Sequence, residues 1–186
     1  MKWILLIIKS TNVSSRDRMF IWRNIKNTGA VSLSHSVYIL HDTEDNRATA
    51  IDIARIAHER KGEVLQFFAD TLNEDQEQKL NKLIAEEIAT EIKEFSKECE
   101  DFIDDITKRI SNKKIKIFEL EELSDDIHKL DRWRIKIFQK HGLDAPKIEI
   151  LNKEIGKCKE KLNEFEGKIL QMNKMMGGRE LVGGDK

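Results

Sequence analysis

Arginine and lysine side chains recur at helical spacing early in the chain, in the segment SSRDRMFIWRNIKNTG. At about 100° per residue, Arg16, Arg23 and Lys26 fall on one side of a helix, and Phe20 lies near them. Arg18 projects toward the opposite, apolar side, near the first turn. Cations in this arrangement can contact the phosphates of double-stranded DNA, and such contacts position a protein without reading the base sequence. The pattern is equally typical of a solvated helix surface, so both interpretations stay open.

The distribution of charge favours a local attraction to polyanions over a global one. The formal net charge of the chain is −1, which gives no indication of DNA binding through bulk charge. Residues 1–30 carry a net charge of +5, and residues 31–186 carry −6. A basic segment on an acidic body could therefore meet a phosphate backbone at one place.

Cysteine and histidine residues form no pattern typical of catalysis or metal binding. Cys99 and Cys158 fall at core positions of long predicted helices, where a buried thiol behaves as a small hydrophobe. A redox or oxyanion role is the alternative. The histidines lack the spacing of zinc ligands. Two cysteines also make no disulfide framework, which favours a reducing cytoplasm.

Serine and carboxylate residues likewise give no catalytic set. Acidic runs such as ECEDFIDD lie between core positions of helices, where charge is expected, although DFIDD and SDD could collect a divalent cation. Ferredoxin-like domains that cut nucleic acid often place an aspartate at the end of the first strand. This chain has Lys9, Ser10 and Thr11 there. We therefore expect no enzymatic activity, no catalytic residue, no metal and no cofactor.

The elements that must position the cationic segment follow the order β-α-β-β-α-β. KWILLIIK is a short strand that is apolar on both faces, so we expect cover on both. The next helix begins with a Ser14–Asp17 capping box and ends at Gly29. A hairpin (AVSLSHSVYIL), a helix that Gly62 ends (DNRATAIDIARIAHERKG) and a strand (EVLQFFAD) follow. This order is typical of ferredoxin-like folds and predicts an α+β domain over residues 1–72.

Apolar residues of the first helix share the side opposite most of its cations. Ile21, Trp22 and Ile25 recur at helical spacing, and we expect them to pack on the sheet. If the Trp22 ring is buried, its replacement by alanine should cost about 3–5 kcal/mol.

Helical periodicity replaces the strand pattern after the last strand. Apolar stripes mark two long helices separated by SNKK, and a third follows the predicted turn HGLDAP. In that turn Gly142 can end one helix and Asp144 can begin the next. The third helix has nine apolar positions between Ile148 and Met176 at alternating spacings of three and four, as in coiled coils. We predict a three-helix, coiled-coil-like bundle over residues 73–176 and a flexible tail over 177–186.

Two stretches resemble the N-terminal domain of the chromate-resistance regulator ChrB. The first, KWILLIIKSTNVSSRDRMFIWRNIKNTGAVSLSHSVYIL, is similar to that family's succession of a W-L-L-L strand, an R-x-R-x-x-x-W-R-x-L-K-x-x-G-A helix and a G-V-Y-L-L-P strand. The second, from ELEELSDD to FEGKIL, resembles the family's helical region, with its L-x-R-W, G-A-P and C-x-x-x-L-x-x-F-E neighbourhoods. The matching residues are Arg16, Arg18, Trp22, Arg23, Lys26, Gly29, Ala30, Val37, Tyr38, Cys158, Leu162, Phe165 and Glu166.

This resemblance implies a DNA-binding transcriptional regulator associated with chromate resistance. Arg16, Arg18, Arg23 and Lys26 are then the candidate nucleic-acid contacts, and double-stranded DNA is the expected partner. Regulators of the family carry a further C-terminal domain that has no counterpart in these 186 residues. The resemblance therefore leaves open whether chromate or another effector is sensed.

The alternative is a non-enzymatic scaffold for dimerisation or protein interaction without DNA binding. The two-faced apolar strand and the long helices could form a homodimer, which would double the basic patch. The opening apolar run WILLII is too short to span a membrane and lacks a cleavage pattern. We therefore expect a cytoplasmic protein with no membrane partner.

Overall fold

The chain folds as an α+β protein, as the sequence predicts. A computed structural model describes residues 2–9, 13–112 and 116–180, apart from the side chains of residues 117 and 172–180. This described part contains a four-stranded sheet and five helices. Internal contacts divide the chain into two compact units, Met1–Ala89 and Thr90–Lys186.

An antiparallel sheet is the scaffold of the first unit. Its strands lie in the order β2-β3-β1-β4, so the first strand pairs with the third and the fourth. The strands are β1 (Lys2–Lys9), β2 (Val31–Ser34), β3 (Val37–His41) and β4 (Glu63–Asp70). The first helix, α1 (Ser15–Lys26), follows β1, and the second, α2 (Glu44–Glu59), follows β3.

Both faces of β1 bury apolar side chains. Ile4 and Leu6 belong to a core cluster with residues of α1 and α2, including Ile21 and Ile53. On the other face Trp3 packs with Val31 and Ile39, and two side chains from the start of the third helix, Leu80 and Ile84, pack against them. The third helix, α3 (Glu74–Ser111), thus begins on the sheet. Cover extends along part of the second face, since Leu5 and Ile7 are half-buried.

The first helix has the predicted start but not the predicted tryptophan. The Asp17 backbone N–H donates to Ser14 Oγ at 3.1 Å, and the Ser14 hydroxyl donates to Asp17 Oδ2 at 2.6 Å. Ile21 and Ile25 are buried, at 2% and 1% exposure, whereas Trp22 is 42% exposed. The prediction of a buried Trp22 is therefore wrong. Trp22 lies about 100° round the helix from Ile21, and its side chain lines a cavity together with residues of the β2–β3 hairpin.

The end of α2 also differs from the prediction. Lys61, not Gly62, takes the left-handed conformation, with φ of 61°. The Gly62 N–H donates to the Ala57 carbonyl at 2.9 Å, and Gly62 itself is buried. Glycine fits here because little room is left beside its backbone.

The second unit consists of the rest of α3 and two further helices, α4 (Ile117–His141) and α5 (Ala145–Glu180). The predicted stripes supply most of its buried residues. They include Phe95, Cys99, Phe102 and Ile106 of α3, Leu123, Ile127 and Ile137 of α4, and Leu151, Ile155, Cys158, Leu162, Phe165 and Ile169 of α5. The side chains of Met172 and Met176, also predicted in the α5 stripe, lie outside the described residues.

The turn between α4 and α5 has the predicted chemistry. Gly142 has a left-handed φ of 53°, and its N–H donates to the Phe138 carbonyl at 3.1 Å. Asp144 Oδ1 accepts from the Lys147 N–H at 3.2 Å, which caps the start of α5. The α5 helix runs to Glu180 and so includes the beginning of the segment predicted as a tail from residue 177. Residues 181–186 lie outside the described residues. Among the described helices, none combines the length and the apolarity that a bilayer crossing requires.

Candidate nucleic-acid interface

The arginines of α1 point away from the core of the first unit. Arg16, Arg18 and Arg23 are all exposed. Within the described part of the chain, neither Arg16 nor Arg23 forms an ion pair, so two guanidinium groups on one side of α1 lack carboxylate partners. An unpaired guanidinium can contact a phosphate without first breaking an internal salt bridge.

Lys26 is in a different state from these arginines. Its Nζ lies 2.8 Å from Glu87 Oε1 of α3, and each of the two side chains is 35% exposed. The Glu87 carboxylate therefore compensates much of the positive charge of Lys26. The structure therefore places Lys26 on the predicted side of α1 but pairs it internally, which weakens it as a phosphate contact.

Aromatic and sulfur-containing side chains lie between the arginines. Met19, Phe20 and Trp22 are 48%, 41% and 42% exposed. Exposed aromatic rings beside arginine are common where proteins bind nucleic acid or other proteins. The outer surface of α1 is therefore a mixed cationic and aromatic surface, which we call the α1 surface; it consists of Arg16, Arg18, Met19, Phe20, Trp22 and Arg23.

Arg60 extends this surface from a distant position in the chain. Its guanidinium carbon lies 4.3 Å from the centroid of the Phe20 ring, and its Nη1 lies 3.1 Å from Asp17 Oδ1. The hydrogen bond from Ser14 and then that from Arg60 lower the pKa of Asp17 below its ordinary value. Sequence reasoning missed Arg60, because it follows α2 and approaches Phe20 only after α1 and α2 pack together. No local pattern in the sequence signals this contact.

Two adjoining cavities open beside the α1 surface, between α1 and the β2–β3 hairpin. One has a volume of about 220 Å³ and the other about 420 Å³. Both are lined by Trp22, His35 and Tyr38. Arg18 lines the smaller cavity, and its Nη2 donates to Ser15 Oγ at 3.1 Å. Of the four candidate contacts, Arg18 is thus the one that lines either of these two cavities.

A comparison of the sequence with models of protein families shows which family the chain belongs to. The model of the family described as Protein ChrB, N-terminal, matches residues 18–176. The chain belongs to this ChrB N-terminal family. The match begins at Arg18, includes Arg23 and Lys26, and continues through the long helices, so it spans residues of both units. None of the curated proteins matches the chain.

In this member of the ChrB N-terminal family, the two cysteines are part of the core. Cys99 and Cys158 are both 0% exposed, and the Cys158 thiol donates to the Cys99 carbonyl at 3.5 Å. The hydrogen bond with the Cys158 sulfur and burial together raise the pKa of the Cys99 thiol above its ordinary value. A buried, protonated thiol is a weak nucleophile, which fits the packing role predicted from the helical stripes.

Two of the histidines contact other side chains of the fold, and the acidic runs form no cluster of metal ligands among the described residues. Among the described residues, no three or more histidine, cysteine or acidic side chains converge as metal ligands would. His41 stacks on Trp3 with ring centroids 4.5 Å apart, and burial lowers the pKa of His41. His141 Nε2 lies 2.7 Å from Glu91 Oε2.

Proposed function

We propose that this member of the ChrB N-terminal family is a DNA-binding transcriptional regulator associated with chromate resistance. The single observation that supports DNA binding best is the α1 surface, where Arg16 and Arg23 are exposed and unpaired within the described residues. The association with chromate resistance rests on family membership and on the resemblance of the sequence to the chromate-resistance regulator.

Arg16 and Arg23 are the main phosphate contacts in this proposal, and Arg18 and Lys26 are secondary ones. Arg18 lines the smaller cavity, and Lys26 must break its ion pair with Glu87 before its full charge can contact a DNA phosphate. Phosphate contacts of this kind fix the position of a protein on the duplex. We further propose that the protein works in the cytoplasm as a non-enzymatic binder without a cofactor.

We infer that the two units are a ferredoxin-like domain and a three-helix bundle. The β-α-β-β-α-β order together with the sheet order β2-β3-β1-β4 supports the first assignment. The buried stripes along α3, α4 and α5 support the second. In this arrangement the sheet holds α1 by Ile21 and Ile25 and leaves its arginines free to bind.

Fluorescence anisotropy with a labelled duplex of the upstream promoter tests the proposal. Replacing Arg16, Arg23 and Lys26 together by alanine should weaken binding at low salt by at least about tenfold, because each guanidinium–phosphate contact is a charge-assisted hydrogen bond. Arg16→Ala or Arg23→Ala alone should weaken binding more than Lys26→Ala alone.

A second triple variant controls for net charge. Arg55, Lys79 and Lys82 are exposed cations of the first unit that pair with acidic residues on their own helices. Replacing them by alanine removes the same formal charge and should change DNA affinity by less than about threefold, because screened charges outside the interface contribute little. Equal losses in both triple variants would contradict the assignment of the α1 surface.

A non-enzymatic dimerisation or protein-interaction scaffold is the second candidate. It is favoured by apolar side chains left open on the sheet: Phe67 of the edge strand β4 is 47% exposed, and Leu33 of the opposite edge strand β2 is 39% exposed. Sedimentation equilibrium of the full chain tests it. A concentration-dependent dimer that binds no duplex would favour the scaffold over the regulator.

A further inference from the structure

The concave surface beside α1 has features that the proposed DNA contacts do not use. The volume of one cavity, about 220 Å³, is below the roughly 300–1,000 Å³ range of small-molecule sites, and that of the other, about 420 Å³, falls within it. Trp22, His35 and Tyr38 line both cavities. We call the concave surface formed by these two cavities the α1–hairpin groove.

The lining of the α1–hairpin groove is cationic and neutral. Among the described residues that line the two cavities there is no aspartate or glutamate, and the titratable side chains there are Arg18, His35 and Tyr38. Within the described residues Arg18 has the neutral hydroxyl of Ser15 as its hydrogen-bond partner and no carboxylate. Tyr38 has a neutral hydroxyl at neutral pH, and burial raises its pKa further above the ordinary value. A negatively charged group is therefore the complement of this lining.

The other residues of the lining are mostly apolar, so the ligand should carry an apolar group beside its negative charge. The smaller cavity is walled by aliphatic side chains, Met19 and the Trp22 ring, with Arg18, His35 and Ser36 as the polar contributors besides Tyr38. A bare oxyanion would lose much of its hydration there and meet few donors in return. A flat ring can lie against Trp22, which is 42% exposed, and keep the charge at Arg18.

We propose that the α1–hairpin groove binds a small aromatic carboxylate, with its ring against Trp22 and its carboxylate at Arg18. This ligand would act as an effector. Its effect on DNA rests on the proposed function, because Arg18 would serve both ligands and a bound carboxylate would weaken the DNA contact. Binding of the carboxylate itself needs no DNA.

Isothermal titration calorimetry of the full chain without DNA tests the site directly. The probes are 1-naphthoate, the uncharged 1-naphthamide and sodium sulfate. We expect saturable binding of 1-naphthoate, at least about tenfold tighter than that of 1-naphthamide, because the neutral amide can accept a hydrogen bond from Arg18 but cannot form the ion pair that the carboxylate forms. Sulfate at the same concentration should not displace 1-naphthoate.

Two matched variants locate the site. Arg18→Gln removes the charge from an exposed position and should weaken 1-naphthoate at least about tenfold while leaving 1-naphthamide within about twofold. Arg55→Gln removes an exposed cation of α2 that lines neither cavity, and it should leave 1-naphthoate within about twofold. Circular dichroism confirms that each variant is folded.

The overturning results are equally specific. Absence of saturable 1-naphthoate binding to the folded wild-type chain, or unchanged binding to Arg18→Gln, would remove the site. Displacement of 1-naphthoate by equimolar sulfate would show that the groove selects an oxyanion without an aromatic body, and would also overturn the proposal. Because DNA is absent from these titrations, their failure leaves the proposed function to its own test.

Discussion

The exposure of each side chain on α1 indicates whether it contributes to the stability of the fold or is available for binding. Ile25 is 1% exposed and packs α1 against the sheet, whereas Trp22 is 42% exposed. Arg23 is exposed and forms no ion pair with any of the described residues. The helical spacing predicts which side carries cations. It cannot predict Trp22, because the edge of an apolar stripe is buried or exposed according to the tertiary neighbours that reach it.

Alanine variants of Trp22 and Ile25, which lie one helical turn apart on α1, test this difference between exposed and buried side chains. Trp22→Ala should lower the free energy of unfolding by about 1–2 kcal/mol, because much of the ring already contacts water. Ile25→Ala should lower it by about 2–5 kcal/mol, because it leaves a cavity in the core. Urea unfolding measures both. A loss of more than about 3 kcal/mol for Trp22→Ala would mean that its ring is buried in solution.

At the scale of elements, ion pairs join residues of different helices that are far apart in the sequence. In the second unit Glu91 Oε2 of α3 lies 2.7 Å from Lys140 Nζ and 2.7 Å from His141 Nε2 at the end of α4. Burial alone would raise the pKa of Glu91, but hydrogen bonds from His141 and Lys140 outweigh it and lower the pKa from 4.5 to about 2. The carboxylate form is thus stabilised by folding.

The lowered pKa gives stability a defined dependence on pH. A carboxylate whose folded-state pKa lies below its unfolded value stabilises the fold fully above about pH 5, and loses this contribution as the pH falls toward 2. The stability difference between wild type and Glu91→Gln should therefore shrink by about 1–2 kcal/mol between pH 5 and pH 3. Urea unfolding followed by circular dichroism measures it, and a constant difference would contradict the role of Glu91.

The order of elements could be predicted from the sequence, but contacts between elements could not. Strand and helix periodicities, the Ser14 cap and the Gly142 stop are local properties, and each appears in the structure. The Lys26–Glu87 pair and the approach of Arg60 to Phe20 join residues far apart in the chain. The groove likewise depends on how α1 packs beside a hairpin, which no local pattern encodes.

For the whole molecule, the charge distribution and the family match bear on different parts of the proposal. Residues 1–30 carry +5 and residues 31–186 carry −6, so phosphate attraction should depend on the α1 surface and not on total charge. The match to the ChrB N-terminal family spans residues of both units. Family membership supports the proposed regulatory role, and the exposed arginines support the proposed position of the DNA contact.

The salt dependence of DNA binding tests this central claim most directly. The logarithm of the association constant is measured against the logarithm of salt concentration for the wild type and for the double variant Arg16→Ala/Arg23→Ala. Two lost phosphate contacts should reduce the magnitude of the slope by roughly 2, since each contact releases about 0.9 counterion. A double variant with the wild-type slope would contradict the claim that α1 binds the DNA backbone.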